Sequence, residues 1–234
     1  MLISGIQQFT LLDYPGKTAC VVFTPGCNFR CGYCHNPEFV LPEKIIKLKD
    51  SFIPEQALWS FLGKRERLLD GVVISGGEPT FAPDLLGFMK KIKARGFLVK
   101  LDTNGNRPDV LQKAIAAGLV DYIAMDVKTS LTEYRALVGS LVSPEKIKQS
   151  IALIKNSGVD YEFRTTLIKE LHYDIILASM AKELRGAKRW FLQEFRPAET
   201  LNPDFAQYHP FSPMEMAGIA KKFRGMAINL AVRA

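Results

Sequence analysis

Short apolar runs alternate with longer amphipathic stretches along most of this 234-residue chain, and that alternation narrows the folds open to it. The runs fall at 18–23 (TACVVF), 71–75 (GVVIS), 97–102 (FLVKLD), 121–126 (DYIAMD), 159–166 (VDYEFRTT), 190–195 (WFLQEF) and 226–232 (MAINLAV). Each has the length and the apolar content of a strand. The stretches between them open on helix signals: Pro54-Glu55, Pro83-Asp84, Pro108-Asp109, Ser143-Pro144-Glu145 and Ser212-Pro213-Met214-Glu215. A proline in the first turn with an acid beside it suits a helix N-terminus. Gly96, Gly118 and Gly158 stand where a helix would stop before the next strand. Strand, helix, strand at this spacing builds right-handed βα units on a parallel sheet. Seven strands fall short of a full eight-unit barrel. The expected fold is therefore α/β, an incomplete TIM-like barrel, with a flat doubly wound sheet as second choice. One domain over residues 1–234 is expected. Its first seventeen residues would form a hairpin about Asp13-Tyr14-Pro15-Gly16.

Composition removes several classes. Hydrophobic residues make up 47% and charged residues 24%, which excludes a disordered or fibrous chain. No apolar run approaches the ~20 residues of a transmembrane helix. The N-terminus lacks a basic region followed by a long apolar one, so the cytoplasm is the expected compartment and a membrane is not an expected partner. Thiols stay reduced there, and clustered cysteines point to metal or redox chemistry. The net charge of +7 comes from short basic groups such as Lys90-Lys91 and Lys221-Lys222, without interleaved aromatics. Nucleic acid is not an expected partner on that pattern.

The chemistry-bearing residues gather at the C-terminal ends of successive strands, the edge where parallel α/β sheets bind ligands. After the first strand comes Cys27-Asn28-Phe29-Arg30-Cys31-Gly32-Tyr33-Cys34-His35-Asn36-Pro37. After the second comes Ser75-Gly76-Gly77-Glu78-Pro79. Asp102-Thr103-Asn104-Gly105 ends the third, Asp126-Val127-Lys128 the fourth, and Arg164 lies in the fifth. Three of the four cysteines form C-x3-C-x2-C at 27, 31 and 34. Three thiolates on one loop can hold three irons of a [4Fe–4S] cluster, leaving the fourth iron open to a small molecule. Cys27, Cys31, Cys34 and His35 as a structural zinc site, or C-x-x-C-H as a haem attachment, are the competing readings. Cys20, inside an apolar run, reads as a buried small hydrophobe or a fourth cluster ligand. Glu78 is either an acceptor for an amine or part of a plain βα turn. Asp102 and Asp126 would bind ribose hydroxyls or a hard cation, or else cap helices. Lys128 would pair with a ligand carboxylate. Arg164 is either an inner-face cation needing an anion or a solvated outer charge.

These motifs resemble those of the radical S-adenosylmethionine (SAM) enzymes: C-x3-C-x2-C with Tyr33 before the last cysteine, then Gly76-Gly77-Glu78-Pro79. Asp13-Tyr14-Pro15-Gly16-Lys17, Thr24-Pro25-Gly26-Cys27-Asn28-Phe29-Arg30-Cys31 and Cys34-His35-Asn36-Pro37 are similar to the activases of glycyl radical enzymes, in particular those of anaerobic ribonucleoside-triphosphate reductase. The resemblance runs over about residues 1–200 and is loose beyond.

The resemblance implies a partial (β/α)6 barrel of the radical SAM type. It implies a [4Fe–4S] cluster on Cys27, Cys31 and Cys34, with SAM on the open iron. The backbone of Gly76, Gly77 and Glu78 would meet the SAM amine, and Asp126 with Lys128 its ribose and carboxylate end. Tyr33 and Asn36 would pack near the adenine, and Arg164 would lie along the ligand. Asp102, Thr103 and Asp126 would hold a monovalent cation. The implied activity is reductive SAM cleavage to a 5′-deoxyadenosyl radical that abstracts hydrogen from a glycine Cα of a partner, with electrons from a flavodoxin- or ferredoxin-type donor. A radical SAM enzyme acting on a small molecule is the alternative within enzymes. A non-catalytic zinc or iron–sulfur module is the alternative outside them.

Overall fold

A computed structural model describes residues 1–34, 36–197 and 200–233. Its strands follow chain order in the sheet, with the first and eighth at the two ends of that order. The residues gather into two compact units. One comprises Met1–Asn28, Asn36–Thr103 and Asp109–Ile123; the other comprises Phe29–His35, Asn104–Pro108 and Ala124–Ala234.

The first unit begins with β1 (Gly5–Thr10), antiparallel to β2 (Ala19–Thr24); the first seventeen residues supply only one strand of this hairpin, and its second strand is the run expected to open the barrel. Next come α1 (Pro42–Leu48), α2 (Glu55–Gly63), β3 (Gly71–Gly76), α3 (Leu85–Lys93), β4 (Leu98–Thr103), α4 (Pro108–Ala116) and the start of β5 (Tyr122–Asp126). β2 pairs with β3 in parallel, and β3 with β4. In that register Val73 lies beside Lys100. Val22, Val72, Ile74, Val99 and Leu101 are fully buried, as expected of strands covered on both faces. On α3 the buried side chains are Leu85, Phe88, Met89 and Ile92, the i, i+3, i+4, i+7 spacing of one helical stripe.

The second unit holds α5 (Tyr134–Val138), α6 (Pro144–Asn156), β6 (Asp160–Leu167), α7 (Asp174–Glu183), β7 (Arg189–Glu194), α8 (Pro213–Lys222) and β8 (Asn229–Arg233). β6, β7 and β8 pair in parallel. α8 starts where the sequence suggested, and Ser212 and Glu215 close a reciprocal capping box there.

The molecule is thus α/β, with β2–β7 as the six strands expected of a partial barrel, β8 beyond them and β1 antiparallel at the front. The glycines expected to end helices, Gly96, Gly118 and Gly158, have φ of 81°, 62° and 76°. The last strand starts three residues later than expected, because residues 223–228 form a turn first. Among the described residues no helix is long and apolar enough to cross a membrane.

Candidate active site

The cysteine motif starts at the end of β2. Cys27 belongs to the first unit, Cys31 and Cys34 to the second. All four cysteines are free thiols; Cys20 and Cys31 are buried, Cys27 and Cys34 partly exposed. Burial pushes the Cys20 thiol up to about 12, which suits the reading of an inert core residue.

The Cys31–Cys34 loop is held from several sides. The Cys34 N–H donates to Cys31 O at 3.0 Å, Leu201 N–H to Cys34 O at 2.9 Å, Asn202 N–H to Gly32 O at 2.9 Å and Arg30 N–H to Val138 O at 2.8 Å. A Cβ on Gly32 would sit 2.2 Å from the Phe205 ring, so glycine is needed for this packing. Burial raises the Cys31 thiol to about 11, against the pull of Lys128, so a thiolate there needs a cation bound to it. Reduced thiols on a braced loop fit the donor set of an iron–sulfur cluster. Among the described residues no group of three His, Cys, Asp or Glu is arranged around a single metal ion. His35, on which the zinc and haem alternatives depend, lies outside the described residues.

In the first unit, β3 ends against the segment that leads into the motif. Gly77 N–H donates to Thr24 O at 2.8 Å and Glu78 N–H to Gly26 O at 2.7 Å. A Cβ on Gly77 would lie 2.1 Å from Gly26 O, which only glycine avoids. Glu78 is 1% exposed. Its Oε1 accepts from the Thr80 N–H at 3.0 Å, the Thr80 hydroxyl and the Thr103 hydroxyl at 2.8 Å. Its carboxylate therefore braces this strand end. Asp102 accepts from Ser75 Oγ at 3.2 Å and pairs with Lys100 Nζ. Asn36 is exposed.

The second unit brings together three further expected residues. Asp126 accepts from Lys128 Nζ at 2.9 Å through Oδ2 and from Arg164 Nε at 2.8 Å through Oδ1. Burial alone would raise the Asp126 pKa; Arg164 and Lys128 outweigh it and hold the carboxyl well below the usual carboxylate range. Arg164 is therefore neither a solvated charge nor short of an anion. Asp102 and Asp126 both spend their oxygens on these partners, with α4 and α5 starting several residues later, so helix capping is not their role. Tyr33 is 5% exposed, and its buried hydroxyl has no hydrogen-bond partner among the described residues. Lys128 Nζ stands 5.9 Å from the centroid of its ring.

The expected monovalent cation is not matched by these side chains. Asp102 already carries the Lys100 ammonium, the Thr103 hydroxyl donates to Glu78, and Asp126 is shared by two cations.

Sequence reading missed the residues that hold Lys128. Its N–H donates to Tyr134 Oη at 2.9 Å. Its carbonyl lies 2.9 Å from His172 Nε2. The Ile168 N–H donates to His172 Nδ1 at 3.0 Å, so Nδ1 is the acceptor and Nε2 carries the proton given to Lys128 O. Burial lowers the His172 pKa and keeps the ring neutral at pH 7. No linear motif marks this contact, since the residues are 44 apart in sequence. Lys100 was missed as well, although a signal exists for it: it stands two residues before Asp102, on the same strand face.

Comparison with known proteins follows the same lines. The Radical SAM superfamily profile matches residues 21–181, from within β2 to within α7. Proteins of that superfamily bind a [4Fe–4S] cluster and SAM. A Methanocaldococcus jannaschii protein named as a glycyl-radical enzyme activating enzyme is 33% identical over 238 residues, spanning 99% of this chain and 95% of its own. A pyruvate formate-lyase-activating enzyme of Clostridium pasteurianum is 26% identical over 187 residues, 72% of this chain and 69% of its own. Among solved structures, Streptococcus suis SuiB bound to the precursor peptide SuiA superposes with a TM-score of 0.66 at 12% identity, covering 92% of this chain and 48% of SuiB. TYW1 with a lysine-pyruvate adduct does so with a TM-score of 0.57 at 17% identity, covering 88% of this chain and 72% of TYW1. At such identities the likeness concerns the fold. The profile match and the full-length relative together carry more than the fold: this chain belongs to the Radical SAM superfamily and is an enzyme of that kind.

Proposed function

We propose that this chain is an activase that installs a glycyl radical on a partner enzyme, and that the partner is anaerobic ribonucleoside-triphosphate reductase. The observation that carries the activase reading is the relative named for glycyl radical enzyme activation, matched along 99% of this chain. The choice of reductase rests on the sequence resemblance about Asp13–Lys17, Thr24–Cys31 and Cys34–Pro37. The reaction belongs in the reducing cytoplasm, with a flavodoxin- or ferredoxin-type protein as electron donor.

Cys27, Cys31 and Cys34 hold the cluster in this reading. When bound, the cluster would supply the one-electron reduction needed for reductive cleavage of SAM and hydrogen abstraction from a glycine Cα of the partner, with the electron coming from the donor protein. The chain's own residues bind and orient. The backbone of Gly76, Gly77 and Glu78 offers carbonyl oxygens to the SAM amine, while the Glu78 side chain braces that turn. Arg164 and Lys128 keep Asp126 ionised, so its oxygens remain acceptors for ribose hydroxyls at any working pH. Lys128 and Arg164 also offer positive charge to the SAM carboxylate. Tyr33 and Asn36 line the adenine end, where the Tyr33 hydroxyl finds a partner.

The test is incubation of the anaerobically reconstituted, reduced protein with SAM and each of two purified partners, anaerobic ribonucleotide reductase and pyruvate formate-lyase. A glycyl radical signal on the reductase alone is the expected result. A signal on the lyase alone keeps the activase reading and overturns the choice of partner. No signal on either, with SAM cleaved during turnover of a small molecule, overturns the activase reading. A 25% identical relative over 91% of this chain is a probable GTP 3′,8-cyclase of Pyrococcus horikoshii, which makes that last outcome the second reading.

A further inference from the structure

Lys100 is a charged side chain in the interior of the first unit with no part in the reaction proposed above. The residue is 1% exposed and lies on β4 beside Val73 of β3. Its Nζ is 5.9 Å from the centroid of the Tyr122 ring. Burying an ammonium among such neighbours is costly unless an anion meets it. Asp102 supplies that anion: strand alternation puts positions 100 and 102 on one face, and Lys100 Nζ pairs with Asp102 Oδ1. The other carboxylate oxygen, Oδ2, accepts from Ser75 Oγ at 3.2 Å. Thr103 points its hydroxyl proton at Glu78 Oε1, 2.8 Å away.

A metal cation placed on Asp102 would have to displace a tethered ammonium that cannot diffuse away. It would also compete for a Thr103 hydroxyl already turned toward a carboxylate. We propose that the Lys100 ammonium is the resident cation of Asp102 and that this chain takes no monovalent metal ion there. Lys100 is then a positioning residue. It neutralises Asp102 at the strand end at every salt composition, so the carboxylate neither repels an arriving anionic group nor waits for an ion from solution. The further consequence for SAM rests on the reading of the preceding section: SAM affinity is the same in potassium, sodium and tetramethylammonium salts.

The experiment measures melting temperature of the protein without SAM in potassium, sodium and tetramethylammonium chlorides at equal ionic strength. Wild type is expected to melt at one temperature in all three. Lys100→Met leaves Asp102 without its ammonium and is expected to gain a saturable rise of about 3–6 °C with potassium or sodium over tetramethylammonium. Lys100→Met combined with Asp102→Asn is expected to lose that response. A saturable rise in wild type overturns the proposal, as does a folded Lys100→Met that ignores the ion. Where Lys100→Met fails to fold, sodium NMR on wild type decides. No saturable broadening supports the proposal, and saturable broadening displaced by potassium overturns it. None of these readouts uses SAM, so failure of the activase reading leaves them standing.

Discussion

Two acids at strand ends, Glu78 after β3 and Asp126 at the end of β5, look alike in sequence and live in different surroundings. Glu78 is 1% exposed, and one of its oxygens takes a backbone N–H and two threonine hydroxyls. Asp126 has a side chain 28% exposed and is gripped by a lysine and an arginine. The first environment satisfies a carboxylate by hydrogen bonds and leaves it as a brace for the backbone around it. The second satisfies it by charge and leaves it reachable. The difference separates a residue that shapes a site from one that a ligand can touch.

Neutralising each acid without changing its shape sharpens the contrast most. Asp126→Asn leaves Lys128 and Arg164 facing each other without an anion. It is expected to cost about 2–3 kcal/mol of stability, less than a fully buried pair because the side chain is partly wet. It should also weaken SAM binding with iron content unchanged. Glu78→Gln keeps an oxygen for its threonine donors and is expected to cost less than about 1 kcal/mol. Urea melts and SAM titrations of the two variants check both; equal losses would erase the distinction.

Gly77→Ala comes next. Its methyl must push Gly26 O from 2.1 Å, so the backbone of the β3 turn has to move. A loss of about 2 kcal/mol is expected, with weaker SAM binding, against a gain of about 0.5–1 kcal/mol for Gly87→Ala, which lies inside α3 with nothing within 4 Å. Thermal melts of the pair read this directly.

A smaller effect follows from His172. Its folded pKa lies below the unfolded one, so the unfolded chain binds the extra proton first. The stability tied to the neutral ring is complete above the ordinary histidine value of about 6.5 and is lost as pH falls through the folded value. Asp126, also depressed, keeps its contribution until far lower pH. Melting temperature should therefore start to fall below about pH 6.5 in wild type. In His172→Gln the fall should be shallower, with about 1 kcal/mol less stability at neutral pH from the lost bond to Lys128 O. Parallel pH profiles would remove His172 from this role.

Tyr33→Phe should change least. The hydroxyl has no partner among the described residues, so stability without SAM should stay within about 0.5 kcal/mol or rise. Weaker SAM binding in the same variant would place the ligand at that hydroxyl; lowered stability would reveal a structural bond instead.

What could be read from the sequence was what local physics decides. The runs 71–75 and 121–126 became β3 and β5 almost unchanged, because an apolar run bounded by turn residues has few alternatives. The helix start at Ser212–Glu215 needed only four adjacent residues. α1 went unread because it buries no side chain and so carries no apolar stripe. At the site, residue types and strand ends were legible, and partners were not. Asp126 and Arg164 are 38 residues apart, and Thr103 and Glu78 are 25 apart. Only folding brings such pairs together, so a sequence can nominate Glu78 and Asp126 but not tell a brace from a charged acceptor.

The most direct test of the central claim is electron paramagnetic resonance of the anaerobically reconstituted, reduced protein with and without SAM. The account predicts a [4Fe–4S]+ signal that changes when SAM is added, is absent in Cys31→Ala and persists in Cys20→Ala. A cluster signal indifferent to SAM, or one lost with Cys20 and kept without Cys31, would contradict it.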